Sequence, residues 1–454
     1  MRKYFGTDGI RRIANSELTP ELVYKVAKAG AYVLSKHTDH TPTIFIGRDT
    51  RISGTLIEAA MTAGFLSYGA NVKQLGVIPT PGVAYLTKRY KADASVVISA
   101  SHNTYEFNGI KYFSNKGMKI PDTLEEEIEE IMDSGRLDEL TAINDKIGVA
   151  ENREDLLEEY VYFFRKNFEE DLENLDKEDF VVALDTANGA TYEIADKVFT
   201  KLGIKHYIIN NEPNGININD NCGSTHMQGL QKFVVEHKCN LGIAYDGDGD
   251  RCLAVNEKGE LVDGDCIMAV ISNYLKEKNQ LKNDTLVATV MSNLGLRKYA
   301  QENNINFEAT KVGDRYVLEN MLANGNNLGG EQSGHIIMLD YNPTGDGILT
   351  SLMLVKIMLE KKLSISKLCD IIKIYPQILI NAKVSADKKY DYEKDAQIKE
   401  EIDKLEKEFS GNGRVLIRPS GTEPLVRVMI EGENQGYIKA KAEALAKLIE
   451  QKLK

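Results

Sequence analysis

The segment "TIFIGRDTRISGTLIEAAMTAGFLSYG", residues 43–69, contains the pattern that decides the fold of the chain. Its apolar start predicts a strand, the polar residues of "GRDTR" predict a loop, and the remainder predicts a helix. The same order returns in "FVVALDTANGATYEIADKVFTKLG" (180–203) and in "TLVATVMSNLGLRKYAQENN" (285–304). Alternating strands and helices are typical of α/β domains with largely parallel sheets. Three such openings, about 100–140 residues apart, predict three related α/β domains with mixed, largely parallel sheets.

The pattern changes near residue 371. "IIKIYPQILINAKV" (371–384) predicts a strand, and a charged helix, the hairpin-like "GRVLIRPSGTEPLVRVMIEG" (413–432) and a last helix follow. This order predicts a smaller α+β domain at the end of the chain. We therefore expect α/β domains at 1–155, 156–256 and 257–370 and an α+β domain at 371–454, arranged around a central cleft.

Bulk properties restrict the class of protein. The chain has 454 residues and a formal net charge of -12, which argues against nucleic acid or an anionic membrane as a partner. The start "MRKYFGTDGI" lacks the apolar core of a signal peptide, and no run approaches the roughly 20 apolar residues of a spanning helix. The five cysteines form no C-x-x-C pair, which predicts reduced thiols, a cytoplasmic location and no zinc site.

The first polar loop lies in "VVISASHNTYEFNGIKYF", residues 96–113. Residues 96–98 predict a buried strand, and Ser99, Ser101, His102 and Asn103 follow it, at the kind of strand end where α/β proteins bind ligands. Ser101 beside His102 could be an activated nucleophile. The alternative is a turn in which Ser and Asn cap the next element. No G-x-S-x-G motif is present, so the pattern does not indicate a hydrolase.

The second loop, in "LGIAYDGDGDRCLAV" (241–255), alternates three carboxylates with glycines. Asp246, Asp248 and Asp250 concentrate negative charge that a cation would neutralise, and oxygen ligands suit Mg²⁺ or Ca²⁺. An EF-hand is excluded because Arg251 occupies the position that requires Gly. A polar surface turn is the alternative.

The third loop is "LGGEQSGHII", residues 328–337. Its glycines have Walker A spacing, but His335 and Ile336 replace the required Lys and Ser/Thr, which argues against nucleotide binding. Glu331, Ser333 and His335 supply an acceptor, a hydroxyl and an imidazole, a set suited to sugar hydroxyls. A glycine-rich turn without a ligand explains the pattern equally well.

The fourth loop lies within "RVLIRPSGTEPLVRVMIEG", residues 414–432. Backbone N–H groups, two hydroxyls and guanidinium groups make it a candidate phosphate site. The residues concerned are Arg418, Ser420, Gly421, Thr422 and Arg427. A hairpin with solvated arginines is the alternative.

Together the four loops resemble those of the α-D-phosphohexomutase family, from Phe5 to about Gly432 and in family order. "FGTDGIR" (5–11), "SASHN" (99–103), "DGDGDR" (246–251), "KVGDR" (311–315), "GEQSGH" (330–335) and "RPSGTEP" (418–424) carry the resemblance. "GEQSGH" resembles the branch that acts on glucosamine phosphates more than the phosphomannomutase/phosphoglucomutase branch, which usually has "GEMSGH". Two residues depart from the family pattern: Arg12 replaces Gly, and Thr104 replaces Pro.

The resemblance implies that the chain interconverts glucosamine 6-phosphate and glucosamine 1-phosphate, for UDP-N-acetylglucosamine and the cell wall. Ser101 would carry the phosphoryl group, and a sugar 1,6-bisphosphate would be both intermediate and activator. One Mg²⁺ per chain would be held by Asp246, Asp248, Asp250 and the Ser101 phosphate. Activity on glucose or mannose phosphates is one alternative, and a non-catalytic sugar-phosphate-binding protein is another.

The resemblance also implies roles for the remaining polar residues. It places the general acid/base among Lys111, His335 and Arg11, the last of which is better suited to stabilising charge because arginine stays protonated. The partner would be a small sugar phosphate, and a homodimer fits family precedent. The other expected contacts are Arg251 and His102 to the reacting phosphate, Glu331, Ser333, Gly313 and Asp314 to the sugar, and Arg418, Ser420, Gly421, Thr422 and Arg427 to the second phosphate.

Overall fold

The computed structural model describes residues 3–6, 8–420 and 423–454. By its internal contacts the chain forms two compact units, Met1–Met291 with Asn306–Asp370, and Ser292–Ile305 with Ile371–Lys454. The first unit contains three sheets and the second contains one. The four domain boundaries expected from the sequence stay predictions.

The first sheet is mixed and has the strand order β1-β5-β4-β2-β3-β6. The strands β4, β2, β3 and β6 are parallel, and β5 joins them antiparallel. Every residue of β4 is buried, as expected of a central parallel strand. The strands are β1 (Ile10–Ile13), β2 (Thr43–Arg48), β3 (Asn71–Val77), β4 (Ala94–Ile98), β5 (Phe107–Ser114) and β6 (Ala150–Asn152), and the helices are α1 (Pro20–Ser35), α2 (Gly54–Tyr68), α3 (Thr80–Tyr90) and α4 (Asp122–Asp133).

The second sheet has the order β11-β10-β9-β7-β8. Strand β7 is parallel to β8 and β9, whereas β10 is antiparallel to β9. The strands are β7 (Val181–Asp185), β8 (Lys205–Ile209), β9 (Leu241–Tyr245), β10 (Cys252–Asn256) and β11 (Leu261–Val262), and the helices are α5 (Leu157–Glu173), α6 (Ile194–Lys201) and α7 (Gln228–His237).

The third sheet has the order β13-β12-β14-β15. Strand β12 is parallel to β13 and β14, and β15 returns antiparallel to β14. The strands are β12 (Thr285–Thr289), β13 (Asn306–Thr310), β14 (Leu328–Gly330) and β15 (Ile336–Met338), and the helices are α8 (Gly264–Glu277), α9 (Leu294–Glu302), α10 (Asp314–Asn324), α11 (Gly347–Lys361) and α12 (Ile365–Cys369). Of these helices, α9 belongs to the second unit.

The three sheets share one local feature. In each, a parallel strand ends in a polar loop and the chain returns antiparallel beside it, in the pairs β4–β5, β9–β10 and β14–β15. These loops are the serine loop (99–106), the acidic loop (246–251) and the sugar loop (331–335). The expected α/β fold with mixed sheets and a small C-terminal domain is confirmed.

The second unit is built on an antiparallel sheet with the order β16-β18-β17. Its core includes Ile398, Leu405, Val428 and Ile449, all buried. Its remaining elements are β16 (Gln377–Lys383), β17 (Gly413–Pro419), β18 (Leu425–Gly432), α13 (Ala396–Phe409) and α14 (Gln435–Leu453). Within the described residues, no helix combines the length and apolar character needed to span a membrane.

Candidate active site

Ser101 of the serine loop is buried and lies beside the acidic loop. Its Oγ donates a hydrogen bond to Oδ2 of Asp246 at 2.7 Å, although the two residues are 145 positions apart. Nδ1 of His102 lies 3.4 Å from Ser101 Oγ. Burial, followed by the charges of Arg251 and Arg11, lowers the pKa of His102 to about 4. A neutral His102 can therefore donate or accept a hydrogen bond near Ser101 without adding charge.

The three aspartates of the acidic loop converge at the end of β9. Asp246, Asp248 and Asp250 are buried, and each places a carboxylate oxygen within 4.8 Å of the others. Burial and the neighbouring charges of Asp250 and Asp248 raise the pKa of Asp246 well above its usual value. This repulsion would be relieved by a cation.

The hydrogen bonding of the triad also fits a cation. Oδ1 of Asp248 and Oδ1 of Asp250 are buried and accept no hydrogen bond within the described part of the chain. A buried carboxylate oxygen without a donor is costly, and a hard divalent cation ligated by oxygen is what satisfies it. The residues present therefore fit a metal such as Mg²⁺.

Lys111 on β5 faces the triad from the first sheet. Its buried Nζ lies 3.1 Å from Oδ2 of Asp248, 3.3 Å from Oδ2 of Asp8 and 3.8 Å from Oδ2 of Asp250. Burial disfavours its charge, but these carboxylates outweigh burial and raise the pKa of Lys111. Lys111 is thus a protonated amine in this arrangement, able to donate a proton or a hydrogen bond.

His335 closes the other side of the triad. Its Nδ1 lies 3.6 Å from Oδ2 of Asp250, and its Nε2 accepts a hydrogen bond from the backbone N–H of Gly345 at 3.1 Å. Burial opposes protonation, but the hydrogen bond and charge of Asp250 raise the pKa of His335 to about 9. The Gly345 contact opposes that shift, because a protonated Nε2 cannot accept. In the neutral imidazole this contact leaves the proton on Nδ1, which faces Asp250.

Two of the segments expected to bind sugar contact each other. Oε1 of Glu331 accepts a hydrogen bond from the backbone N–H of Gly313 at 3.1 Å, and Gly313 has φ +133° at the start of α10. Burial raises the pKa of Glu331. The buried Oγ of Ser333 has no hydrogen-bond partner among the described residues. The contact between Glu331 and Gly313 brings the "KVGDR" segment to the sugar loop.

Arg11 and Arg251, the two arginines of the first unit that the sequence analysis expected in the site, have different surroundings. Arg11 donates to Oδ1 of Asn103 at 3.0 Å and to Oδ2 of Asp8 at 2.9 Å. The backbone N–H of Arg251 donates to Oδ1 of Asp246 at 3.1 Å, while its Nε is buried and makes no hydrogen bond to any described residue. The Arg251 guanidinium therefore has donor capacity that a phosphoryl group could use.

A cavity of about 340 Å³ opens beside these groups within the first unit. Its polar wall includes Asp8, Lys111, Asp250, Asp314 and His335. This volume is of the size that small-molecule sites have. The cavity thus places space for a small molecule next to the triad, Lys111 and His335.

Several residues of this site were missed by the sequence analysis. Thr80 at the start of α3 donates from its Oγ1 to Oδ2 of Asp248 at 2.7 Å. Asp8 contacts Lys111 and Arg11, and half-buried Lys119 forms an ion pair with it. Asp8 lies in "FGTDGIR", so this motif could have identified it as a site residue. Thr80 and Lys119 lie in no motif that the sequence analysis singled out.

The predicted phosphate loop lies in the second unit and is described by itself. Arg418 on β17 and Arg427 on β18 are directly opposite each other in the antiparallel register. Like charges in that position repel, and an anion between them would offset the repulsion. Arg427 Nε is buried without a hydrogen bond to a described residue, and Ser420 Oγ accepts from the N–H of Glu423 at 3.2 Å. The predicted Gly421 and Thr422 lie outside the described residues.

Comparison with known proteins gives matches over the whole chain. Four models of phosphoglucomutase/phosphomannomutase domains match it: α/β/α domain I at residues 2–139, α/β/α domain II at 158–259, α/β/α domain III at 263–375 and the C-terminal domain at 379–448. A phosphoglucosamine mutase from Ruminiclostridium cellulolyticum is 53% identical, and one from Acetivibrio thermocellus is 54% identical, each covering 100% of both chains.

Solved structures support the fold. A phosphoglucomutase/phosphomannomutase family protein from Burkholderia thailandensis superposes with a TM-score of 0.80 at 20% identity, covering 99% of this chain and 97% of that one. A structure described as a phosphomannomutase from Thermus thermophilus gives a TM-score of 0.79 at 20% identity, covering 99% and 100%.

Proposed function

We propose that this chain, which belongs to the phosphoglucomutase/phosphomannomutase family, interconverts glucosamine 6-phosphate and glucosamine 1-phosphate. Two observations support this proposal. The relatives named phosphoglucosamine mutase match along the full length, and the buried Ser101 Oγ lies 2.7 Å from Asp246 in the acidic triad. The Ser101 contact is the observation that carries the mechanism.

In the proposed reaction, phosphorylated Ser101 is the donor. A free hydroxyl of the sugar phosphate attacks the phosphorus, the bond from phosphorus to Ser101 Oγ breaks, and a sugar 1,6-bisphosphate forms. The bisphosphate then reorients, Ser101 Oγ attacks the phosphorus of the other phosphate, and the bond from that phosphorus to the sugar oxygen breaks, which leaves a sugar hydroxyl once the oxygen is protonated. The net result is an isomerised sugar monophosphate and a phosphorylated Ser101.

The proton of the attacking hydroxyl needs an acceptor, and the leaving oxygen needs a donor. Lys111 and His335 flank the triad from opposite sheets and are the candidates, while Arg11 stabilises charge. Lys111 is protonated in this arrangement and fits the donor role, whereas His335 fits the acceptor role when its imidazole is neutral.

The triad oxygens of Asp246, Asp248 and Asp250 would hold Mg²⁺. When bound, the ion supplies charge neutralisation for the transferring phosphoryl group. Arg251, whose buried Nε lies 3.9 Å from Oδ1 of Asp250 and makes no hydrogen bond to a described residue, would bind the same phosphoryl group, and His102 would contact it at the serine.

The sugar would be bound by Glu331, Ser333, Gly313 and Asp314, near the cavity beside the triad. The second phosphate would bind to the loop of the second unit that carries Arg418, Ser420, Gly421, Thr422 and Arg427. Such N–H, hydroxyl and guanidinium groups can bind the phosphate in both orientations of the sugar, because they recognise its charge and oxygen atoms and not the geometry of the sugar ring. A homodimer and a cytoplasmic location stay predictions.

The substrate is tested by comparing kcat/KM for glucosamine, glucose and mannose 6-phosphates, with Mg²⁺ and a catalytic amount of sugar 1,6-bisphosphate. Specificity is the ratio of these values. We expect the highest value for glucosamine 6-phosphate. A higher value for mannose or glucose 6-phosphate would replace the proposed substrate, and binding without any turnover would indicate a non-catalytic sugar-phosphate-binding protein.

A further inference from the structure

Two side chains from different sheets hold the same pair of carbonyls in the serine loop. Arg51 follows β2, and its Nη2 donates to Ser101 O at 3.0 Å and to Asn103 O at 2.8 Å. Asn219, from the loop between β8 and α7, donates from its Nδ2 to Ser101 O at 2.9 Å and to Asn103 O at 2.8 Å. We propose that Arg51 and Asn219 are positioning residues that fix Ser101 for phosphoryl transfer. This inference rests on the proposed function.

The backbone of Ser101 needs such support. Its φ is +51°, in the left-handed region that residues other than glycine rarely adopt. On its N-terminal side, the Ser101 N–H donates to Ser99 Oγ at 2.9 Å, and Ser99 Oγ donates to Oδ2 of Asp49 at 2.6 Å. With the carbonyl held by Arg51 and Asn219, both peptide groups that flank Ser101 are fixed.

Arg51 is placed for this role by Asp49. Nε of Arg51 donates to Oδ2 of Asp49 at 2.8 Å, and both side chains are fully buried. Nη1 of Arg51 also donates to the carbonyls of Thr104 and Phe107. A buried guanidinium that donates to three carbonyls of the serine loop and to the first carbonyl of β5 fixes the path of that loop, because each lost contact would leave a buried donor unpaired.

The backbone next to the second sheet fixes the position of Asn219. It is buried with φ +58°, and its backbone N–H donates to Ala187 O at 2.9 Å. A few residues further on, the Gly223 N–H donates to Oδ2 of buried Asp185 at 3.0 Å. Asn219 thus connects the serine loop of the first sheet to the framework of the second sheet, which also carries the acidic loop.

Gly247 shows how closely the two loops meet at this point. A Cβ on Gly247 would lie 2.6 Å from Ser101 O and 2.7 Å from Nδ2 of Asn219. Arg51 and Asn219 therefore hold the Ser101 carbonyl at the point where the serine loop contacts the acidic loop. A shift of the Ser101 carbonyl would change the distance from Ser101 Oγ to Asp246, and phosphoryl transfer depends steeply on such alignment.

The test uses Asn219→Ala, with Asn221→Ala as the matched control. Asn221 lies in the same loop with φ +54° and is exposed, and its Nδ2 donates to Oδ1 of the neighbouring Asp220 at 2.9 Å. The phosphorylated protein is mixed with glucosamine 6-phosphate and Mg²⁺, and loss of phosphate from Ser101 is followed by intact mass in a single turnover.

We expect Asn219→Ala to slow phosphoryl transfer on the order of 10- to 100-fold, with KM for the sugar phosphate within twofold of wild type. Asn221→Ala should transfer at the wild-type rate. Asn219→Asp, which keeps the volume but removes the donor, should be as slow as Asn219→Ala. If Asn219→Ala does not fold, Arg51→Lys, which keeps a charge beside Asp49 but has a single nitrogen, should show the same loss of rate.

Three results would overturn the inference. The first is a transfer rate for Asn219→Ala within threefold of the wild-type rate, and the second is an equal loss of rate in Asn221→Ala. The third is a loss of rate in Asn219→Ala that is proportional to its unfolded fraction. The proposed substrate is tested separately, because wild type is also assayed with glucose and mannose 6-phosphates. If one of these sugars accepts the phosphoryl group in place of glucosamine 6-phosphate, the variants are compared with wild type on that sugar. Failure of wild type with every sugar phosphate overturns both proposals.

Discussion

Replacing Asp248 by Asn tests the acidic triad with little disturbance of its hydrogen bonds. Oδ2 of Asp248 accepts from Thr80 Oγ1 at 2.7 Å and from Lys111 Nζ at 3.1 Å, whereas its buried Oδ1 accepts nothing from the described residues. The carbonyl of Asn can replace Oδ2, and its NH₂ group then lies where Oδ1 was. An NH₂ group cannot bind a cation, so Asp248→Asn removes a metal ligand and retains the other contacts.

The expected effect of Asp248→Asn on the free energy of unfolding differs without and with metal. Without metal, both hydrogen bonds persist, and the lost charge attraction to Lys111 is offset by weaker repulsion within the triad, so the free energy of unfolding should change by less than about 1 kcal/mol. With free Mg²⁺ at 100 times its Kd, wild type gains about 2.7 kcal/mol and the variant gains nothing. With an unfolding entropy of about 2.1 cal/mol/K per residue, a chain of 454 residues shifts by roughly 1 °C for each kcal/mol, so the wild-type midpoint should rise by roughly 3 °C.

The assay is thermal unfolding of both proteins, with chelator and then with increasing Mg²⁺. Asp220→Asn, which removes the same charge at an exposed site outside the triad, is the matched control and should respond as wild type does. If Mg²⁺ stabilises Asp248→Asn as much as wild type, the triad does not hold the metal. A large loss of stability without metal would instead show that the Asp248 contacts are not preserved by Asn.

Three further substitutions test other contacts. Gly247→Ala places a Cβ 2.6 Å from Ser101 O, so kcat should fall at least about tenfold, and an unchanged kcat would contradict the close contact of the loops. Arg427→Ala removes a charged donor worth about 1.5–3 kcal/mol, so KM for the sugar phosphate should rise at least about tenfold, and steady-state kinetics with unchanged KM would exclude a phosphate contact. Tyr160→Phe removes the hydrogen bond from its Oη to Asp346 Oδ2 (2.6 Å) and should lower the free energy of unfolding by about 1 kcal/mol in denaturant titrations, with kcat unchanged; a loss of kcat would place this bond in catalysis.

The sequence predicted the fold class and the loops of the first unit because both depend on local patterns. Apolar runs followed by helical stretches marked β2, β7 and β12, which the structure contains. The polar residues of each loop follow an apolar strand directly, so Ser101, Asp246 and His335 could be chosen before the structure was known. Their roles in catalysis and binding stay proposals.

Contacts between sheets were beyond reach of the sequence. Thr80 and Asp248 are 168 positions apart, and Asn219 and Ser101 are 118 apart, with no repeated motif to pair them. Their meeting depends on how the first and second sheets pack, which local periodicity does not encode. Arg51 was within the opening segment, but its donors act on a loop about 50 residues later, and nothing in "GRDTR" indicates that partner.

The central claim is that Ser101 carries the phosphoryl group that passes to the sugar. Intact mass, before and after phosphatase and after mixing with glucosamine 6-phosphate and Mg²⁺, tests it most directly. We predict a phosphorylated form about 80 Da heavier than the bare chain, lost to phosphatase or to the sugar and absent from Ser101→Ala. A Ser101→Ala protein that still accepts phosphate and turns over, or a wild-type protein that turns over without ever carrying phosphate, would contradict the account.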